Sequence, residues 1–464
     1  MIALRPYQDH AVAAAIDAIE RKKNGILSMP TGSGKSLVIA GIAKALDANI
    51  VVLQPTKEIL DQNYSKLYEF GHRDIAIYSA SAGTKKRAQV TFATIGTIIN
   101  NPDLFADTQA IVVDECHLVN AKAGQYKNFI ERLGVPAIGL TATPYRMAVT
   151  FRGAVVEAKF LHRTKPRIFD HMGYVVQNND LHRDGYLSKI IYYERDDYDP
   201  YAIALNSTGL NYNDAALAAY NRLTGLCKKA VDTIVGNYDA CRHFLNFVSS
   251  IEESKEIEEL LHKSGIAVAH VDGTTPKKER ERILAEFKSG RLKVVTNVGV
   301  LTTGFDFPAL DGIVLARPTM SLPLYYQMVG RGVRQIEGKE ACRVFDLCRN
   351  VERFGQPDRY RIEAEEGEKY RLRSGDRYLT GVNFISGRDL EKQREKRAAT
   401  QKAERSAAKT GDAVLPFGKH KGTKLSALPL GYLEWCAENF ESGKWKEIFA
   451  DELARRKTPA ELPF

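Results

Sequence analysis

The stretch Met29-Pro-Thr-Gly-Ser-Gly-Lys-Ser36 constrains this chain more than any other. It follows an apolar run, Gly25-Ile-Leu-Ser28, that reads as a buried strand. It precedes residues 37–46, whose apolar positions recur at helical spacing. Strand, glycine-rich turn, Gly-Lys-Ser and helix form the context that a phosphate-binding loop requires. The glycines let the backbone curl so that successive N–H groups point inward as an anion nest, and the helix adds its positive dipole end. Lys35 is spaced to reach β- and γ-phosphates, and the Ser36 hydroxyl to sit on Mg²⁺. One departure is visible: Met29 stands where the general pattern G-x-x-x-x-G-K-[ST] has its first glycine. Taken alone, the stretch also reads as an ordinary Gly/Ser turn.

The neighbouring segments sharpen that choice. Leu4-Arg-Pro-Tyr-Gln8 leads into an Ala-rich amphipathic helix from Asp9 to about residue 21. The Gln8 amide both donates and accepts, so it suits an adenine edge; the same residues also read as a helix start with Pro6 in the first turn. Residues 50–54 and 90–94 are further buried strands. Thr56 and Thr94, each at a following helix start, suit either a nucleic-acid phosphate or a plain N-cap. The strand 110–113 delivers Asp114-Glu-Cys-His117. Beside a phosphate loop, Asp114 can hold a Mg²⁺ shell and Glu115 can orient or deprotonate an attacking water. His117 is a candidate sensor of the γ-phosphate. Another strand ends in Thr141-Ala-Thr-Pro144, whose hydroxyls either link the site to a nearby surface or cap a strand end.

Strands alternating with helices over residues 1–150 imply a mostly parallel, doubly wound sheet with its ligand site at the strands' carboxyl ends. The rhythm breaks over residues 150–225, which read as a connector with small elements of its own. It resumes from residue 243, with strands at 243–248, 267–271, 293–297, 312–316 and 342–347 and helices at 251–263, 277–288 and 322–330. This second region has no Gly-Lys-Ser/Thr and is expected not to bind a nucleotide alone. It carries Leu301-Thr-Thr-Gly-Phe-Asp306 and Gln327-Met-Val-Gly-Arg-Gly-Val-Arg334. Arg331 and Arg334 share a face at i, i+3 spacing. A planar guanidinium suits bridging of γ-phosphate oxygens, and arginines at a helix end also serve the dipole.

The bulk properties agree with this division. At 464 residues the chain has room for about two or three domains. Its 44% apolar and 27% charged content is that of an ordinary globular protein. No apolar run is long enough to span a bilayer and the N-terminal residues do not read as a signal peptide, so no membrane partner is expected. The net charge of +9 permits a polyanionic partner. The six cysteines form no C-x-x-C pair, which disfavours a zinc ribbon, and a reducing cytoplasm is the natural compartment.

Phosphate loop, Pro55-Thr-Lys-Glu58, Asp-Glu-Cys-His, Thr-Ala-Thr-Pro, Thr-Thr-Gly-Phe-Asp and Gln-x-x-Gly-Arg-x-x-Arg occur here in that order. Over roughly residues 1–350 this resembles the superfamily 2 helicases and translocases. The start Arg5-Pro-Tyr-Gln8, Ala316-Arg-Pro-Thr319 and the motifs at 301–306 and 327–334 look most like the bacterial RadD branch, with its phage UvsW-type relatives. The long zinc-binding C-terminal region of that branch is expected to be lacking, since the cysteines cannot supply it.

The resemblance implies an α/β fold of two RecA-like lobes with ATP and Mg²⁺ between them, followed by a small C-terminal module. It implies a first lobe at 1–160, a connector at 161–225 and a second lobe at 226–350. A charged linker or helix at 351–411 and the module at 412–464 complete the chain. Arg5 and Gln8 would sit at the adenine. Thr31, Gly32, Ser33, Gly34, Lys35 and Ser36 would hold phosphates and metal. Asp114 and Glu115 would supply metal shell and water activation, with Gly304 and Asp306 near ribose and γ-phosphate. Gln327, Arg331 and Arg334 would complete the site, while Thr56, Thr94 and Thr296 would touch a nucleic-acid backbone.

The expected activity is ATP-dependent unwinding of, or translocation along, DNA: single-stranded, forked or branched, in replication, recombination or repair. A single-strand-binding or recombination protein is the expected protein partner, and a bacterial or phage-infected cell the expected setting. RNA unwinding, and duplex translocation within a restriction or defence complex, are the rival readings. In the tail, Lys419, His420, Lys421 and Lys424 around Phe417 either grip a strand by charge and stacking or are merely exposed beside a core phenylalanine. Leu425, Leu428, Tyr432 and Trp435 are spaced as a small helical core.

Overall fold

A computed structural model describes residues 3–120, 124–149, 156–302, 304–367, 369–380, 414–415, 419–439 and 444–457. The chain divides into two units, Met1–Phe384 and Ile385–Phe464.

The first unit is built on two large sheets. The first has eight strands, in the order His171–Val175, Gly25–Ser28, Ala137–Thr141, Ala110–Asp114, Ile50–Gln54, Val90–Thr94, Ile75–Ser79 and Thr84–Lys85. All neighbours pair parallel except the last two. The strands Gly25–Ser28, Ile50–Gln54 and Ala110–Asp114 are buried along their whole length, which is why they read as continuous apolar runs and not as alternation. The second sheet has six parallel strands, in the order Lys189–Glu194, Ala341–Asp346, Gly312–Ala316, Phe244–Val248, Val294–Asn297 and Val268–Val271. Each sheet forms one lobe with the helices of its crossovers.

The segment expected to be a free-standing connector is shared between the sheets. His171–Val175 extends the first sheet beside the phosphate-loop strand, and Lys189–Glu194 forms the edge of the second. Edge strands carry weak apolar patterns, since only part of their surface is covered. The helical stretch after residue 213 is two helices, Asp214–Leu223 and Leu226–Gly236, with Gly225 at φ 63° between them.

The charged stretch after residue 351 also departs from the expected linker or helix. Tyr360–Glu365, Lys369–Ser374 and Arg377–Tyr378 form an antiparallel three-stranded sheet. Tyr360 and Leu372 are buried, while Glu363 faces Arg371 and Arg361 faces Arg373 across the strands. Ion pairs Arg373–Glu363 at 2.8 Å and Arg371–Glu365 at 2.7 Å run diagonally over that outer face. The density of charge hid a period of two. Gln177 fastens this sheet to the rest of the unit, donating to the Ile362 carbonyl at 2.7 Å and accepting its N–H at 2.9 Å. Residues 381–411 of the expected linker lie outside the described residues.

The second unit holds helices Leu430–Asn439 and Lys444–Lys457. Its core comprises Leu415, Leu425, Leu428, Leu433, Cys436, Ile448 and Phe449. Leu425 and Leu428 are core residues as expected and Tyr432 is partly buried, but Trp435 is 55% exposed, stacked on Tyr432 at 6.2 Å. Phe417 lies outside the described residues.

In the first unit, Gly332 lies hard against the second sheet. A Cβ there would stand 2.2 Å from Cys342 Sγ and 3.0 Å from Ile313 Cδ1. Gly332→Ala should therefore cost about 1–3 kcal/mol through overpacking, read as an earlier denaturant midpoint; an unchanged midpoint would contradict this packing.

Candidate nucleotide site

The phosphate-loop strand ends where the Met29 N–H donates to the Thr141 carbonyl at 2.8 Å. The loop then turns through Gly32 at φ 82° and Gly34 at φ 84°, a region that only glycine enters without strain. Gly34 caps the helix Lys35–Leu46 without any side-chain partner for its first amides. Those N–H groups stay open to an anion, with the helix dipole behind them.

The start of the first helix, Pro6–Glu20, braces the loop from outside. The Gln8 amide donates to the Ser33 carbonyl at 2.9 Å and accepts the Arg5 N–H at 2.9 Å; the Tyr7 hydroxyl also donates to Ser33, at 2.8 Å. Gln8 is buried, and a Cβ on Gly34 would come within 2.4 Å of its amide nitrogen. Arg5 lies over the Tyr186 ring at 4.7 Å. Gln8 uses its oxygen on the Arg5 N–H and one amide proton on the Ser33 carbonyl, which leaves its second amide proton over.

A cavity of about 420 Å³ opens between the lobes. The first lobe contributes Thr31, Gly32, Gly34, Lys35, Ser36, Asp114 and Glu115; the second contributes Gly304, Phe305, Asp306, Arg331 and Arg334. The Lys35 ammonium pairs with the Glu115 carboxylate. His117 Nδ1 stands 3.2 Å from Glu115 Oε2 and 2.8 Å from Thr141 Oγ1. Glu115 itself has φ 50°, a left-handed conformation that costs a non-glycine residue of order 1–3 kcal/mol. The Ser36 hydroxyl donates to Asn63 Oδ1, and Asn63 Nδ2 donates to Asp114 Oδ2 at 3.0 Å. Asp114 Oδ1 accepts the Glu115 N–H at 2.9 Å.

Burial, then the neighbouring Glu115 charge, raises the pKa of Asp114 above the usual carboxylate range. Burial works in the same direction on Glu115, but Lys35 and His117 outweigh it and hold that carboxyl well below its usual range. The two adjacent carboxylates are thus pushed apart, as in sites where two acids take different roles.

From the second lobe, Arg331 Nη1 donates to the Phe305 carbonyl at 2.7 Å, and its buried Nε has no hydrogen-bond partner among the described residues. Arg334 pairs with Asp306. Burial draws both guanidinium pKa values down to about 10, so both stay charged at neutral pH. Among the described residues, several contacts cross between the lobes. Gln62 donates to Asp306 Oδ2 at 2.7 Å, Gln327 Nε2 lies 3.5 Å from His117 Nε2, and a Cβ on Gly330 would meet Thr31 Cβ at 2.9 Å.

The three threonines expected on nucleic acid diverge. Thr56 is an N-cap, its hydroxyl accepting the Ile59 N–H at 3.4 Å. Thr94 shares hydroxyl contacts with Ser79 at 2.9 Å and Thr97 at 3.1 Å. Thr296 is fully buried, 3.2 Å from Asn246 Nδ2 and 3.0 Å from Ser254 Oγ. A hydroxyl enclosed within the second sheet touches no backbone of another molecule, and that expectation is corrected.

Asn63 and Gln62 went unseen in the sequence. Asn63 is a buried polar residue on the face of helix Lys57–Glu69 that otherwise buries Ile59, Leu60 and Leu67, which is the one signal it leaves. Gln62 leaves none.

Residues 1–146 match the family model described as the res subunit of type III restriction enzymes, and residues 227–335 the helicase conserved C-terminal domain. Residues 406–450 match a family described as "putative quorum-sensing-regulated virulence factor". The chain is 28% identical over 348 residues to a 51.5 kDa protein of a Lactococcus phage, covering 72% of this chain and 67% of that one. It is 26% identical over 379 residues to the "putative ATP-dependent helicase IRC3" of Saccharomyces cerevisiae, covering 74% of this chain and 51% of the yeast protein. The DNA 3'-5' translocase XPB2 of Sulfurisphaera tokodaii is 23% identical, covering 73% of this chain and 80% of the archaeal one. Among solved structures, a fragment of an HsdR subunit of a type I restriction enzyme from Vibrio vulnificus shares the fold, with TM-score 0.57 and 22% identity over 77% of this chain and 67% of that one.

The two matched domains, with the cavity between their lobes, make the chain similar to the ATP-dependent helicases of superfamily 2, which have two RecA-like lobes. The expected resemblance to that superfamily is borne out. The chain spans about half the length of the yeast relative.

Asn63→Ala should cost about 1–3 kcal/mol in denaturant unfolding, because buried Asp114 loses its donor. Asn63→Asp should cost more, since it adds a like charge beside Asp114; equal stability of the two variants would contradict the contact.

Proposed function

We propose that this chain is a DNA-dependent ATPase that moves along DNA and acts at single-stranded, forked or branched sites. The observation that carries the reading is the cavity whose first wall holds Lys35, Asp114 and Glu115 and whose second wall holds Arg331 and Arg334. Thr31, Gly32 and Gly34 cradle the phosphates of ATP, with the open helix N-terminus at their base. Lys35 leaves Glu115 for the γ-phosphate, which frees Glu115 to orient the attacking water. Arg334 leaves Asp306 for the same phosphate and meets it only when the lobes close. Loss of that phosphate ends the attraction, and the lobes part. Each cycle becomes a step if both lobes hold the nucleic-acid backbone, which makes motion insensitive to sequence and binding sensitive to salt.

The residues present fit Mg²⁺. The Ser36 hydroxyl and the Asp114 carboxylate meet on one Asn63 side chain, and so small an oxygen set suits an ion that keeps most of its waters. Ser36 and Asp114 would hold such an ion, whose positive charge would offset the charge developing on the phosphates.

DNA is favoured over RNA by Asp-Glu-Cys-His and Thr-Ala-Thr-Pro, which differ from the Asp-Glu-Ala-Asp signature of RNA helicases, and by the archaeal DNA translocase among the relatives. The match to a restriction-enzyme res subunit favours a second reading, duplex translocation as part of a restriction or defence complex. ATP turnover measured with forked DNA, plain duplex and RNA, alongside strand separation, decides between them. The first reading expects stimulation by DNA with unwinding of the fork. Stimulation by plain duplex without unwinding supports the second, and stimulation by RNA alone overturns both.

Lys35→Ala should abolish ATP turnover while leaving DNA binding largely intact. Arg334→Ala should retain ATP binding and lose about 10³–10⁵ in turnover, the range seen when an arginine finger is removed. Normal turnover in either variant, measured by phosphate release, would contradict the assignment.

A further inference from the structure

The turn that carries Arg331 and Arg334 is held by a lysine with no place in the cavity. Lys339 is 7% exposed. Its ammonium donates to the carbonyls of Gly332 at 2.6 Å, Arg334 at 2.9 Å and Pro308 at 3.0 Å. An ammonium has three protons, and each is accounted for. Among the described residues no carboxylate forms an ion pair with it. Burial draws its pKa below the usual lysine value, with Cys342 and Asp311 drawing it partly back.

A lysine kept charged in such surroundings is a poor device for stability alone, because an apolar residue of similar volume avoids the desolvation cost. What distinguishes this one is what it ties together. Pro308 follows directly on the loop whose Asp306 pairs with Arg334, while Gly332 and Arg334 belong to the turn that carries the guanidinium. The two cavity-facing segments of the second lobe thus meet on a single side chain. The same turn is held from its other side by Ser188, whose N–H donates to the Val333 carbonyl at 2.7 Å and whose hydroxyl lies 2.6 Å from the Arg334 carbonyl. Gly332 closes the remaining direction against Cys342.

We propose that Lys339 is a positioning residue for Arg334, tying the loop before Pro308 and the Gly332–Val333–Arg334 turn into one rigid piece that fixes where the Arg334 guanidinium stands. This rests on the reading of Arg334 as a partner of the γ-phosphate. It assigns a task in hydrolysis to a residue that touches neither nucleotide nor metal.

The test is a double-mutant cycle of Lys339→Met and Arg334→Ala, with thermal unfolding, binding of a fluorescent ATP analogue and DNA-stimulated phosphate release measured on all four proteins. Lys339→Met should bind the analogue as the unaltered chain does and lose about 10²-fold in turnover, the scale of a misplaced catalytic group. In the Arg334→Ala background the same substitution should change turnover no further, since the group it positions is gone. Equal fold-losses in both backgrounds, or full turnover in Lys339→Met, would overturn the proposal. Full turnover in Arg334→Ala alone would overturn the reading of the site, and the Lys339 proposal with it. Should Lys339→Met fail to fold, Lys339→Gln, which keeps two donors, enters the same cycle with the same deciding outcomes.

Discussion

Two facing walls, one from each lobe, enclose the cavity on which the proposed site depends. The first wall gathers an anion nest, an ammonium and two carboxylates at the carboxyl ends of one parallel sheet. The second brings two arginines from the turn after helix Leu322–Gly330 of the other lobe. Two of the charges on these walls are paired internally, Lys35 with Glu115 and Arg334 with Asp306, while Arg331, among the described residues, bonds only the Phe305 carbonyl. Those partners are also the groups that a phosphate would compete for. An incoming trianionic tail is worth more to Lys35 and Arg334 than one carboxylate each, because charge-assisted bonds strengthen where water is excluded.

Position along the sheets explains why these residues meet. The phosphate-loop strand and the strand ending at Asp114 flank Ala137–Thr141, so the loop, the Asp-Glu pair and Thr141 emerge side by side. His117 spans from Glu115 to Thr141, and Gln327 reaches His117 from the other lobe. The route from carboxylate to second lobe is thus a chain of polar contacts, and Gln62–Asp306 gives a second, parallel one. A motor needs such connections to be breakable. Single hydrogen bonds of about 1 kcal/mol each are suited to that, whereas a continuous apolar interface would lock the lobes.

The central elements of both sheets were readable because they are buried on both faces, and their loops carry unmistakable chemistry. Strands Gly25–Ser28 and Gly312–Ala316 and helices Ile251–Lys263, Lys277–Lys288 and Leu322–Gly330 fall where apolar spacing puts them. What failed to show was decided by tertiary surroundings. The edge strand His171–Val175 is only partly covered, and the sheet from Tyr360 presents alternating Arg and Glu to solvent, which masked its buried face. Gln8 braces the phosphate loop through the Ser33 carbonyl, a contact that its own helix start does not announce. Thr296, expected from the resemblance to touch a nucleic-acid backbone, is enclosed by the fold. Asn63 and Gln62 bond partners remote in the chain, and Lys339 bonds only backbone carbonyls, so no local side-chain pattern betrays them.

The most direct test of the shared site uses a mimic of the transition state. Affinity for ADP with aluminium fluoride should be measured in the unaltered chain and in Arg334→Ala, with ADP alone as reference. If the second lobe completes the phosphate site of the first, the unaltered chain binds the mimic far more tightly than ADP, and Arg334→Ala loses that gain while binding ADP normally. Equal tightening in both proteins would mean that the arginine plays no part in hydrolysis and that the two walls do not act as one site.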